Sequence, residues 1–253
     1  EAKSLFAEAL LHGRKSGNPR QLVLILNRLG DLACYAGQYE LAVQQFTECL
    51  AVCTQLNDRY NQAVLLNNLG TIYHVWQQYP QAAQYYQDSL QLCREIGDQD
   101  GIALALNNLG ELACLQGDYP TALSTSQEAL QIAEQLRENW TIITCLGSLG
   151  EINSTMQQFE ESKSYFLRAI RLAVQTESIE LAVRISVHLA RVLQLQGDQP
   201  PAIALFQAAL THPACEHDLR EKASGWLQES DITVPPPAAD LLSVLHTYLQ
   251  NAS

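Results

Sequence analysis

Long apolar runs are missing from this sequence. None approaches the roughly 20 residues that a membrane-spanning helix needs, which sets membrane insertion aside. Positive charge is scarce: 15 lysines and arginines stand against 27 aspartates and glutamates, a formal net charge of −12 at pH 7. That balance argues against nucleic acid or an anionic membrane surface as partner. It permits a basic partner, and it serves solubility equally well. Cysteine pairs of the CxxC type are absent, although seven cysteines are present. An odd number without paired spacing, and no secretory signal, point to reduced thiols and a cytoplasmic protein. The phosphate loop GxxxxGK, the dinucleotide fingerprint GxGxxG and the metalloprotease HExxH are also lacking. So is the nucleophile elbow GxSxG. With no catalytic constellation in view, the expectation is a protein that is not an enzyme and uses no cofactor.

What the sequence does contain is a repeat. Leu66-Asn67-Asn68-Leu69-Gly70 returns forty residues later as Leu106-Asn107-Asn108-Leu109-Gly110. Forty residues earlier stands Leu26-Asn27-Arg28-Leu29-Gly30. Leu146-Gly147-Ser148-Leu149-Gly150 and a worn copy, Ser186-Val187-His188-Leu189-Ala190, continue the series without a slip. A fixed period of this size reads as a solenoid of stacked supersecondary units.

Residues 99–138 show one unit. Ile102, Leu104, Ala105, Leu106, Leu109, Leu112 and Ala113 recur at helical spacing. Gln116-Gly117-Asp118-Tyr119-Pro120 interrupts them as a short turn, with Pro120 tolerable in a first helical turn. Ala122, Leu123, Ala129, Leu130, Ile132 and Ala133 then mark a second helix. The column Asn18, Asp58, Asp98, Glu138, Ser178 precedes each first helix, and four of its members are good N-caps. Gly37, Gly117 and Gly197 share the turn column, where glycine can take positive φ. Gly30, Gly70, Gly110, Gly150 and Ala190 lie inside the first helices, where Gly costs up to about 1 kcal/mol against Ala, so close helix approach is expected there. Ala42, Ala82, Ala122, Ser162 and Ala202 form the matching small column. Phe46, Tyr86, Phe166 and Phe206 form an aromatic one, interrupted by Ser126, around which looser packing is expected.

These columns resemble the tetratricopeptide repeat. Leu109-Gly110, Gly117-Asp118-Tyr119-Pro120-Thr121-Ala122 and Ala129-Leu130 follow its pattern in order. The 40-residue length is similar to the subclass found in kinesin light chains and in bacterial multidomain signalling ATPases and transcriptional activators. The resemblance implies an all-α fold: a right-handed α-solenoid of stacked antiparallel helix pairs with a C-terminal capping helix. It covers residues 1–217, with 1–18 as the second helix of a truncated repeat. Full repeats run over about 19–58, 59–98, 99–138, 139–178 and 179–217. Residues 218–230 read as the capping helix, with Trp226 expected to bury against Leu205 and Leu210. Residues 231–253 read as a proline-rich connector and a short helix. The absence of an initial methionine suggests a fragment of a longer chain.

In the resembling family the first helix of each pair lines the binding groove. Carried over, the groove positions are Asn27, Asn67 and Asn107, then Asp31, Thr71, Glu111, Glu151 and Arg191, then His74 flanked in its column by Cys34, Cys114 and Ser154, with Arg184 and His188 in the last repeat. The asparagine amides offer donors and acceptors to an extended peptide backbone. They serve equally to tie neighbouring helices together, as do Asn68 and Asn108. Asp31, Glu111 and Glu151 make the early groove acidic, and Arg184, His188 and Arg191 make its end basic, a split that either orients a ligand or is simply solvated. Zinc at Cys34, His74 and Cys114 is set aside. Helix axes about 8–10 Å apart do not bring three ligands within the roughly 2.0–2.3 Å of a metal that zinc requires. The expected partner is a protein or peptide segment, or domains of the same parent chain. The expected function is a binding module, the sensor or regulatory arm of a larger bacterial signalling protein. The alternative is an intramolecular scaffold or autoinhibitory arm.

Overall fold

The computed structural model describes residues 10, 11, 13–15, 17–215, 217–229 and 240–251. Of the helix expected over residues 1–18, residues 10, 11 and 13–15 are helical; residues 1–9, 12 and 16, and the connector expected at 231–237, lie outside the described residues. The described residues contain helices and turns, and no strand. The helices are α1 (Pro19–Tyr35), α2 (Tyr39–Gln55), α3 (Arg59–Val75), α4 (Tyr79–Ile96), α5 (Gln99–Leu115) and α6 (Tyr119–Leu136). They continue as α7 (Asn139–Thr155), α8 (Phe159–Gln175), α9 (Ile179–Leu195), α10 (Gln199–Thr211), α11 (His217–Glu229) and α12 (Leu241–Asn251). The chain divides into two compact units, residues 1–112 and 113–253.

Consecutive helices pair antiparallel, and an aromatic ring over a glycine joins the two members of a pair. A Cβ added to Gly30 would stand 2.7 Å from the Phe46 ring, and one on Gly70 2.5 Å from Tyr86. In the second unit the same relation holds between Gly150 and Phe166, at 2.4 Å. These rings are fully buried. Burying a large apolar side chain contributes about 1.5–3 kcal/mol, which outweighs the roughly 1 kcal/mol that a helical glycine costs. Ser162, from the small column of α8, donates its hydroxyl to the Gly150 carbonyl at 2.7 Å. Ser126, where an aromatic would continue the column, is fully buried.

The turns repeat twice as often as the sequence columns indicate. Residues with positive φ stand every twenty residues, at Gly17, Gly37, Asn57, Gln77, Gly97, Gly117, Arg137, Gln157, Glu177 and Gly197. Across each turn from Gly37 onward a backbone N–H reaches back five residues, as Gln38 N to Ala33 O at 2.8 Å and Ser178 N to Ala173 O at 2.8 Å. That bond satisfies a carbonyl the helix end would otherwise leave open. The N-caps begin as expected: the side chains of Asn18, Asp58 and Asp98 accept from the first-turn amides of α1, α3 and α5. Glu138 and Ser178 make no such bond. The Ser178 hydroxyl lies 2.9 Å from that of Thr176 instead.

Cys49, Cys53 and Cys93 are buried and fill the small apolar positions of the second helices. Burial, then the adjacent Cys53, pushes the Cys49 thiol up to about 12, so it stays protonated. None of the seven cysteines is in a disulfide. In the second unit α11 packs on α9 and α10, while α12 folds back on α10 and α8, burying Leu241 and Leu245.

Two substitutions test this account. Gly150→Ala drives a methyl into a buried ring that has no void to enter, and we expect it to cost about 1–3 kcal/mol in urea unfolding. Gln157→Gly relieves a positive φ that costs a side-chain-bearing residue about 1–2 kcal/mol. Less the added freedom of the unfolded chain, the expected gain is up to about 1 kcal/mol. A loss of stability in this second variant would contradict the reading of the turn.

Candidate functional site

In the first unit the face presented by α1, α3 and the start of α5 is built from side chains four and three residues apart, which share one helix face. Leu26 and Leu69 point inward and are fully buried. Opposite Leu26 stand Leu24, Arg28 and Asp31 on α1, and opposite Leu69 stand Asn67 and Thr71 on α3; Asn68 lies beside them, and Asn108 and Glu111 share a face of α5. Leu24, Arg28 and Thr71 are exposed, and the others are partly so.

The asparagines divide between two roles. Asn108 Nδ2 donates to Asn67 Oδ1 at 2.9 Å, a side-chain bond across adjacent repeats. Asn107 is 1% exposed, so it is not offered to solvent as a groove position would be; its Nδ2 donates to Glu111 Oε1 at 3.2 Å. Thr71 donates to the Asn67 carbonyl at 3.2 Å and accepts from the Tyr86 hydroxyl at 3.3 Å. Asn27 is half-buried, and its Oδ1 is buried with no hydrogen-bond partner. Burial raises the Asp31 carboxyl above its ordinary range, with Arg28 opposing. His74 sits edge-on to Tyr79, ring centres 6.0 Å apart. No group of three or more metal-ligating side chains is found among the described residues.

In the second unit His188 and Arg191 meet α11. Glu151 is exposed on α7, with Oε1 3.6 Å from His188 Nε2. His188 also faces the Phe166 ring at 6.3 Å and the Trp226 ring, edge-on, at 5.8 Å. The Arg191 guanidinium lies 5.4 Å from the Trp226 ring centre and the Lys222 ammonium 5.3 Å from it. Gln194 Nε2 donates to the Trp226 carbonyl at 3.3 Å. This corrects the expectation that Trp226 buries against Leu205 and Leu210 at the end of the array. The ring is half-buried, and it lies over the charged face of α9. Arg184, one turn earlier, stays exposed.

The sequence profile of the tetratricopeptide repeat matches residues 21–95 and 101–175. The chain belongs to the tetratricopeptide-repeat family. No curated protein sequence matches it. Among solved structures, a Rap protein complexed with competence and sporulation factor aligns with a TM-score of 0.71 at 14% identity, over 92% of this chain and 69% of that one. NprR in complex with its cognate peptide NprX gives 0.70 at 14% identity, over 93% and 66%. A signal transduction ATPase with numerous domains and a tetratricopeptide repeat sensor, from Pyrococcus horikoshii, gives 0.62 at 16%, over 99% of this chain and 40% of that one. At such identities the likeness shows the fold.

Of the expected groove asparagines, Asn107 is buried, while Asn27 and Asn67 are partly exposed. On α1 the fully buried Leu26 points away from Arg28, two positions on. Lys222 and Trp226 belong to no repeat column, because they lie beyond the repeat register.

His188 gives the second unit a pH dependence. Burial lowers its pKa from 6.5, with Lys222 and Arg184 acting the same way and Glu151 opposing. The folded state therefore holds the imidazole neutral, and the unfolded chain binds a proton more readily. Its contribution to stability is complete above about pH 6.5 and is lost as pH falls below that. We expect the melting temperature of the second unit to drop between pH 7.5 and 5.5, and the drop to shrink in His188→Gln. An equal drop in the variant would remove His188 as the cause.

Proposed function

We propose that this chain is a non-catalytic binding module that holds an extended polypeptide segment along the outward face of its first helices. It would act as the sensor or regulatory arm of a larger cytoplasmic signalling protein of bacterial type. The observation that carries the reading is the stripe Arg28, Asn68, Asn108, Asp31, Thr71 and Glu111. It sets amides, a hydroxyl and charges at matching positions on successive first helices, outside the core. Amide side chains can pair with a peptide backbone through donor and acceptor together. The fold is shared with a Rap protein solved with competence and sporulation factor, with NprR solved with its cognate peptide, and with the sensor-bearing ATPase. These likenesses support the reading.

A scaffold role within the parent protein has its own support. Asn67 with Asn108, and Asn107 with Glu111, bond to each other, so part of the stripe already serves the array. No helix among the described residues is long and apolar enough to cross a membrane.

The test separates these two uses of the asparagines. Asn68→Ala with Thr71→Ala should weaken binding of a partner recovered by affinity capture. Each lost neutral hydrogen bond contributes about 0.5–1.5 kcal/mol, so together the loss is roughly five- to a hundredfold in Kd. Asn67→Ala instead leaves Asn108 without its acceptor and should lower thermal stability. Unchanged affinity in the first variant would favour the scaffold.

A further inference from the structure

Single apolar side chains scattered over a surface are ordinary, whereas several on one face mark an interaction site. The first unit sets four large ones on one face. Leu24 is 60% and Tyr35 84% exposed on α1, and Tyr60 is 59% and Val75 48% exposed on α3. At about 100° per residue, Leu24, Arg28, Asp31 and Tyr35 fall within about 60° of one another around α1. Tyr60, Val64, Thr71 and Val75 share an arc of the same width on α3. The apolar members stand at the two ends of this face. Toward the helix starts, Leu24 is continued at the same repeat position by Val64 and Leu104, both partly exposed. Toward the helix ends stand Tyr35 and Val75. The middle is polar, with Arg28, Asp31, Asn68 and Thr71. The core does not require the row at the helix ends, because its members are exposed. The repeat nevertheless keeps it apolar: the same position holds Leu115 and Leu195 in the second unit, 56% and 48% exposed. At about 1.5 Å of rise per residue, the two rows lie about 16 Å apart, each about 8 Å from the polar middle.

Resting on the binding reading above, we propose that this face of the first unit takes an extended segment bearing large apolar side chains on both of its sides. Polar groups of the middle track, the Asn68 amide foremost, pair with the main chain of the segment. Successive side chains of an extended chain point to opposite sides, so neighbouring residues of the segment reach opposite rows. A gap of about 8 Å is closed when a large side chain meets Leu24 or Tyr35, and stays open to alanine or serine. A helical segment suits the face less well, because its main-chain groups are already paired with one another. A lipid surface would bury the polar middle without hydrogen-bond partners, which is costly. The order apolar, polar, apolar across the face therefore selects an extended polypeptide over both alternatives.

The probe is a display library of short random peptides, panned on the 253-residue chain. We expect the recovered peptides to share two large apolar residues an odd number of positions apart, which an extended chain sends to opposite sides. Replacing either one with Ser in the synthetic peptide should weaken binding about tenfold. Leu24→Ser and Tyr35→Ser, both at exposed positions, should each weaken it about fivefold and leave the melting temperature unchanged. A peptide that already lacks the side chain meeting Leu24 should be indifferent to Leu24→Ser and still respond to Tyr35→Ser, as a double-mutant cycle requires of a direct contact. Recovered peptides without the odd-spaced apolar pair, or indifferent to both substitutions, would overturn the proposal. So would binding to neutral phosphatidylcholine vesicles that depends on Leu24 and Tyr35, or self-association of the chain that Tyr35→Ser abolishes. If Asn68→Ala with Thr71→Ala weakens the peptides while Leu24→Ser and Tyr35→Ser do not, the apolar rows fail and the wider binding function stands. Recovery of no peptide at all would count against both.

Discussion

The contact between an aromatic ring and a glycine, made in three of the helix pairs, is what the other features depend on. Phe46 on Gly30, Tyr86 on Gly70 and Phe166 on Gly150 bring two helices nearer than any side chain at the glycine would permit. A helix interior is a poor place for glycine, yet the ring buried above it returns more than the glycine costs. Once two helices are locked at that distance, which face of the first helix remains outside is settled. The polar stripe in the first unit is a consequence of where the rings sit.

The turn supplies the second constraint, and it shows how sequence and backbone part company. Glycine occupies half of the positive-φ positions, and Asn57, Gln77, Arg137, Gln157 and Glu177 occupy the rest. The glycines alone are irregularly spaced, whereas the backbone repeats every twenty residues. The five-residue reach of the backbone amide across each turn imposes the conformation whatever the side chain. A hydrogen bond made by main-chain atoms leaves little trace in side-chain identity, so half of the regularity was illegible in the sequence. The helices themselves were legible, because their signal is side-chain burial at a period that burial itself selects.

The face of the first unit was legible only in part. Asn27, Asn67 and Asn107 form the tidier column, and Asn107 is nevertheless buried against Glu111. Amide identity alone cannot separate an asparagine that ties helices together from one turned outward, since both uses draw on the same donor and acceptor. Helix phase separates them in part: Leu26 and Leu69 are fully buried, and the positions opposite them are Arg28 on α1 and Asn67 on α3.

The end of the repeats follows a different logic. Inside the stack, each charged side chain of a first helix has a neighbouring repeat of the same kind beside it. At α9 the neighbour is α11, which carries no repeat pattern and brings its own tryptophan and lysine. Coupling in such arrays runs chiefly between nearest neighbours, so whatever disturbs the face of α9 is felt first by α11. His188 makes the coupling concrete: it touches Phe166 behind it and Trp226 in front, and both its charge and its burial depend on α11 staying in place. α11 does more than shield an apolar end: the centre of its Trp226 ring lies 5.4 Å from the Arg191 guanidinium and 5.3 Å from the Lys222 ammonium, so its packing on α9 is electrostatic as well as apolar.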